Sequence, residues 1–230
     1  MARPSLTPML EHLRASVEAA RATLAPEAVH QVRVASRRLR VFLTLAQVPV
    51  LRGDLRWLAR ALSRVRDLDV VLEAGVDASG PFSRWLRRQR VAAHREAARA
   101  LAQPRVDGVL RALSTVAPLA RRRALEQSQT LDGAVDEAWR GLRAAAPATV
   151  LEALHRLRRC ARSARYAREW LGRDASAPRW VQEVAGPACD VIALSRLVRE
   201  FEGEGAGRDS ARLLAVVRAR LLPHIVERGP

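Results

Sequence analysis

The chain has 230 residues, 49% of them hydrophobic, enough to bury one sizeable core or two small ones. Its formal net charge of +16 and a pI near 11.6 point to a polyanionic partner such as nucleic acid, an anionic surface or polyphosphate. Two cysteines, Cys160 and Cys189, give neither a disulfide framework nor metal-ligand spacing; the apolar run from Val41 to Leu51 is far short of the roughly 20 residues that cross a bilayer; and MARPSLTPMLEHLRA lacks the apolar region of a signal peptide, so a cytoplasmic protein with no membrane partner is expected.

Helix-period patterning dominates, and Pro and Gly interrupt it at Pro26, Pro49/Gly53, Gly75 to Pro81, Pro104, Pro147, Gly172 to Pro178 and Gly203 to Gly207. Between these breaks helices are predicted over 5–25, 27–47, 54–74, 82–102, 105–122, 123–145, 149–171, 178–201 and 208–227, an all-α protein with short connections.

The second of these helices carries a cationic stripe. His30, Arg33, Arg37 and Arg40 stand at offsets of +3, +7 and +10 from the histidine, and at about 100° per residue they share one face roughly 80° wide. Val32, Ala35, Leu39, Phe42, Leu43 and Ala46 lie opposite, which makes the helix amphipathic. The 149–171 helix repeats the pattern: His155, Arg158, Arg162 and Arg165 keep the same offsets, and Leu157, Cys160, Ala161, Ala164 and Leu171 form the apolar back. Like charges three or four residues apart destabilise a helix by about 0.2–0.5 kcal/mol per pair, so a chain that builds the stripe twice is expected to place an anion against it. All 40 basic residues are Arg, whose planar fork binds phosphate oxygens in pairs.

The helix after the first stripe adds Arg56, Arg60, Arg64 and Asp67 within about 80° of one another, opposite Leu55, Leu58, Leu62 and Val65. Asp67 is placed to orient a guanidinium, and Asp190 stands in the same role in the other half. Trp57 to Asp67 and Trp180 to Asp190 each span ten residues; the two stripe histidines are 125 residues apart and the two aspartates 123, so the chain reads as two related halves. Residues 1–115 and 116–230 are expected to form two repeated bundles that pack about a pseudo-twofold axis and bring both stripes into one groove. In the second half Gly186-Pro187 falls where the first has Ser63-Arg64. The proline is expected to kink its helix, and it also removes a charge.

Nothing in the chain supplies the parts of a phosphate-transfer enzyme. There is no Gly-Lys-Ser/Thr loop and no His-Glu-x-x-His, and Glu200, Glu202 and Glu204 sit beside glycines without convincing metal spacing. His12, His94 and His224 read as helix-surface histidines, and the Arg around His30 and His155 would repel a divalent cation, so no metal and no cofactor are expected. Nucleic acid is the rival ligand. However, only Phe42 and Tyr166 lie near the stripes as base-stacking groups, and the five Trp fall mostly at apolar positions suited to the core.

The segments HQVRVASRRLR and RVRDLDVVL, then LHRLRRCARSARYAREWL and VQEVAGPACDVIAL, resemble the CHAD domain, the conserved histidine α-helical domain, over nearly the whole chain. The resemblance implies two antiparallel four-helix bundles around a basic central cavity that binds inorganic polyphosphate without catalysis, at polyphosphate granules. It places His30, Arg33, Arg37, Arg38, Arg40, His155, Arg158, Arg162 and Arg165 at the family's basic positions and Arg66 with Asp67 in its Arg-Asp element. With Arg60, Arg64 and Arg159 these make up the expected polyphosphate-binding set. Cys189 in place of Arg66 and Ser163 in place of Arg38 thin the charge of the second half, which is expected to bind less strongly. Family members are often fused to a triphosphate-processing CYTH domain, marked by a Glu-x-Glu-x-Lys strand; a chain without lysine has no such strand.

Overall fold

The computed structural model describes residues 6–73, 80–116, 121–146 and 148–203, with the backbone alone at 121–122 and 187–191. Among these residues every regular element is helical: α1 (Thr7–Thr23), α2 (Pro26–Leu45), α3 (Arg52–Ala61), α4 (Ser63–Glu73), α5 (Pro81–Leu101), α6 (Pro104–Ser114), α7 (Arg121–Arg143), α8 (Val150–Trp170), α9 (Ser176–Val184) and α10 (Gly186–Gly203). Proline stands within the first two positions of α1, α2 and α6, where its missing N–H would have had no acceptor. At the other end of α1, Leu24 turns left-handed (φ 49°) and its N–H bonds Ala20 O at 3.0 Å, so two residues suffice to reach α2.

Two expected helices are each divided in two. The 54–74 helix breaks at Leu62 (φ −96°, ψ 1°) and the 178–201 helix at Ala185 (φ −84°, ψ 0°), two matched conformations 123 residues apart. Hydrophobic period could not reveal either break, because Leu55, Leu58, Leu62 and Val65 are all buried on both sides of the first one. Residue 187 is therefore not a kink inside a helix. It lies in the first turn of α10, which begins at Gly186, where proline interrupts no hydrogen bond. The 105–122 helix ends at Ser114, and the expected 208–227 helix lies outside the described residues. The starts of α8, α9 and α10 follow those of α2, α3 and α4 by 124, 124 and 123 residues, so the sequence repeat extends to the order and spacing of helices.

The chain divides into two compact units: Met1–Asp69 with Arg87–Ser128 and Trp170–Arg173, and Val70–Leu86 with Gln129–Glu169 and Asp174–Pro230. In the first unit α1 packs on α2, α2 on α3, and α6 on both α1 and α3. Leu13, Val17, Val32, Leu39, Phe42, Leu43, Leu55, Leu58 and Leu113 are almost wholly buried there, each contributing about 1.5–3 kcal/mol. Phe42 also meets the ring of Trp170 at a centroid distance of 4.1 Å. In the second unit Ala138, Leu157, Ala161 and Val181 form a cluster with Val135, Trp139, Leu142 and Cys160 against it, while Phe82, Trp85 and Phe201 pack ring to ring at 5.2–5.9 Å.

The tryptophans do not all join the core. Trp57 is half-buried under the Arg105 guanidinium, 4.5 Å from the ring, and that guanidinium is itself held 2.6 Å from Asp54. Its repeat partner Trp180 is 37% exposed, because α9 buries Pro178 and Val181 and leaves Trp180 on its outer side.

Candidate anion-binding site

The apolar backs of both stripes are buried as expected. Val32, Ala35, Leu39, Phe42 and Leu43 anchor α2 and Leu157, Ala161 and Ala164 anchor α8, which fixes the direction in which each stripe faces. All eight stripe residues are half-buried rather than solvated: His30, Arg33, Arg37 and Arg40 on α2, and His155, Arg158, Arg162 and Arg165 on α8.

In the first unit the structure brings α4 to the stripe. Burial acts first on His30 and pushes its imidazole below the ordinary value; Arg66 is the charge with the largest effect, Glu27 comes next and opposes it, and Arg37 and Arg33 add to the downward push. Arg64, on the same helix, directs Nη2 to Gln89 Oε1 of α5 at 3.5 Å. Arg38 and Asp67 are half-buried, and Arg60 is exposed at the end of α3.

His155 is in the same state for the same reasons. Burial acts first and then Arg159, Arg162 and Arg158, so its imidazole also lies below its ordinary value. Both stripe histidines are therefore held toward the neutral form at neutral pH, as their cationic setting predicts. Arg165 lies 3.3 Å from Glu169, one turn on, with its guanidinium carbon 4.9 Å from the ring centre of Tyr166, and Glu169 also holds Arg179 at 3.3 Å. The first half has Thr44 where the second has Glu169, so this carboxylate partner has no counterpart at the matching position of α2. Ser163 is half-buried and gives its hydroxyl proton to Arg159 O at 3.2 Å. The side chains of Cys189 and Asp190 lie outside the described residues, as do His224 and Glu204.

Three arrangements were not anticipated. Asp69 is 2% exposed and takes Arg90 Nε on Oδ1 at 2.6 Å, while its Oδ2 is enclosed without a hydrogen-bond partner. It lies about 40° around the helix from the buried Val65, among the apolar positions of α4, so an acid on the apolar face was the available signal. His94 is not a simple surface histidine: its Nε2 is enclosed, and burial and then Arg90 push its imidazole down against the pull of Asp69. Finally, Arg33 Nη1 donates to Ala59 O at 2.9 Å and Arg158 Nε to Gln182 O at 3.4 Å, acceptors that sequence cannot single out because every residue has a carbonyl.

What the arrangement can do chemically is bind anions. Burial raises the Cys160 thiol, the opposite of what a nucleophile needs, although Arg159 and Arg156 oppose the shift. Among the described residues no group of three His, Cys, Asp or Glu side chains could hold a metal ion; Glu200 instead pairs with Arg196 at 3.6 Å. Among the same residues no helix is long and apolar enough to cross a membrane.

The CHAD domain family model matches residues 5–189. A crystal structure of the CHAD domain from the plant Ricinus communis is similar at a TM-score of 0.73 and 25% identity, covering 96% of this chain and 83% of that one. PptA from Streptomyces chartreusis shares the fold at a TM-score of 0.61 and 18% identity, covering 97% and 96% of the two chains. No curated protein matches the sequence. With four-fifths of its length inside the family match and all its described elements helical, the chain belongs to the CHAD domain family.

Proposed function

We propose that this protein binds inorganic polyphosphate without turning it over, along two basic walls built on α2 and α8. His30, Arg37, Arg38, Arg40, Arg60, Arg64 and Arg66 make up one wall, and His155, Arg159, Arg162 and Arg165 the other. The observation that carries the proposal is the setting of the two histidines: each is half-buried, its pKa lowered first by burial and then by three guanidinium groups, and a phosphate chain would relieve the field of those cations. Membership of the CHAD family supports polyphosphate as that polyanion and polyphosphate granules in the cytoplasm as the place of binding. In this reading the two halves form repeated four-helix bundles, each presenting its own stripe. The phosphate chain lies along a stripe, takes paired N–H bonds from Arg and releases counterions. The wall on α2 is the stronger one, since the second half has Cys189 and Ser163 where the first has Arg66 and Arg38.

Single-stranded nucleic acid is the weaker candidate because it needs exposed rings for stacking. Phe42 is 1% exposed and packed on Trp170, and Tyr166 is 6% exposed. The test is a titration with labelled long-chain polyphosphate, challenged by single-stranded RNA, duplex DNA and short phosphates at matched phosphate concentration. Polyphosphate should resist displacement by both nucleic acids, and preference for either would overturn the proposal.

The histidines also set a pH response whose sign can be worked out. Bound phosphate favours the imidazolium form, so the pKa of His30 and His155 rises on binding, protons are taken up, and affinity should increase as pH falls from 8 toward 6. The ligand-free protein should respond in the opposite direction. His30, His94 and His155 are all depressed in the folded state, so their contribution to stability is present above the unfolded value of about 6.5 and is lost as pH falls below it. Calorimetric titrations and thermal unfolding across pH 5–8 measure the two trends. An affinity flat across this range would remove the histidines from the binding mechanism.

A further inference from the structure

We infer that Arg33 and Arg158 are positioning residues. Each guanidinium binds a C-terminal carbonyl of the neighbouring short helix and fixes the joint from which the next helix leaves, while phosphate is held by other members of the stripes. The last four carbonyls of a helix have no partner inside it. In α3 the carbonyl of Ala59 is one of these, and it accepts Arg33 Nη1 at 2.9 Å; in α9 the carbonyl of Gln182 is another, and it accepts Arg158 Nε at 3.4 Å. Each acceptor is the third residue from the end of its helix, and each donor is the +3 residue of its stripe.

The repetition carries the argument. The acceptor side chains differ, Ala against Gln, so what recurs in the two halves is a contact to backbone. A guanidinium at this place also meets the negative end of the helix dipole. Immediately beyond each acceptor the chain breaks, at Leu62 and at Ala185, and a new helix starts. In the first half that helix is α4, whose Arg66 has the largest charge effect on His30, so the angle at the joint decides where this cation stands. Arginine is used in the same way on α1, where Arg21 donates from Nε and Nη2 to Leu101 O, the last residue of α5, at 3.1 and 3.0 Å.

The bearing of these braces on phosphate binding rests on the polyphosphate reading above; the bracing itself does not. Two double variants, R33M/R158M and R37M/R162M, each remove two charges. Without ligand, R33M/R158M should lower the melting temperature by several degrees and speed amide exchange at residues 61–66, R33K/R158K should restore both, and R37M/R162M should speed exchange at 61–66 far less. Titrated with long-chain polyphosphate at several salt concentrations, R37M/R162M should flatten the log–log salt slope by about 1.4, roughly 0.7 per lost contact, and R33M/R158M by less than half of that. The inference is overturned if R33M/R158M speeds exchange at residues 61–66 no more than R37M/R162M does, or if it flattens the salt slope as much. Should the unmodified protein fail to bind polyphosphate, the proposed function falls, and the ligand-free comparison alone decides the bracing.

Discussion

Replacing Arg37, Arg40, Arg66 and Arg162 with Gln is expected to weaken polyphosphate binding about a thousandfold at low salt, while the helical circular dichroism stays unchanged. Each loses a charge-assisted hydrogen bond worth about 1.5–3 kcal/mol when fully made, and roughly 4 kcal/mol in all remains after allowing for contacts that rearrange. The four positions are half-buried, lie on α2, α4 and α8, and are distinct from Arg33 and Arg158, which meet the ends of α3 and α9. Four lost contacts should also flatten the salt slope by about 3, which separates loss of phosphate contacts from general unfolding. Fluorescence anisotropy with labelled polyphosphate at 25 to 300 mM salt measures both quantities. A variant that binds within tenfold of the parent would remove the stripes from the function proposed.

A second large effect concerns stability and involves no ligand. Arg90→Met leaves the Asp69 carboxylate enclosed with Oδ2 already lacking a hydrogen bond and Oδ1 deprived of the guanidinium 2.6 Å away. Removing one partner from a buried pair costs about 3–5 kcal/mol; because Arg90 is 35% exposed, the lower end, about 3 kcal/mol, is expected. For a chain of this size that is a fall of about 6–12 °C in melting temperature. Adding Asp69→Asn should recover much of the loss, since the double variant no longer has a charge to strand. Equal melting temperatures for the parent and Arg90→Met would show that Asp69 is not held by Arg90.

The periodicity of α2 and α8 made the apolar backs and the stripes legible, because a surface helix must bury one face and the spacing of Val32, Leu39 and Phe42 leaves only one choice. The joints at Leu62 and Ala185 were hidden: a one-residue break scarcely shifts the phase of an apolar pattern, and the local cue, Gly186-Pro187, exists in one half only. The 123-residue period was itself the missing clue, since it carries that cue across to Ser63-Arg64, immediately after Leu62. Asp69 could have been found as an acid among apolar neighbours. Trp180 could not, because periodicity gives the direction of a side chain and not whether another helix covers it. The roles of Arg33 and Arg158 were illegible in principle, since stripe register cannot distinguish an arginine that meets phosphate from one that meets a backbone carbonyl.

Under the function proposed, the commitment of arginines to carboxylates and helix ends separates how fast a polyanion arrives from how long it stays. Arg21 with Asp107, Arg105 with Asp54, Arg156 with Glu137 and Arg168 with Asp132 are all engaged at 2.6–2.9 Å, yet every arginine counts toward the net charge of +16. Long-range attraction follows the summed field, so capture of a polyanion from solution depends on the whole surface and is screened over about 8 Å at physiological salt. Residence depends on the few guanidinium groups that meet the chain at contact distance, and differences in affinity among related complexes reside mostly in that departure rate. Under the function proposed, encounter is thus indiscriminate while retention is selective: any polyanion is drawn in, and only one that can lie along an arginine stripe is kept.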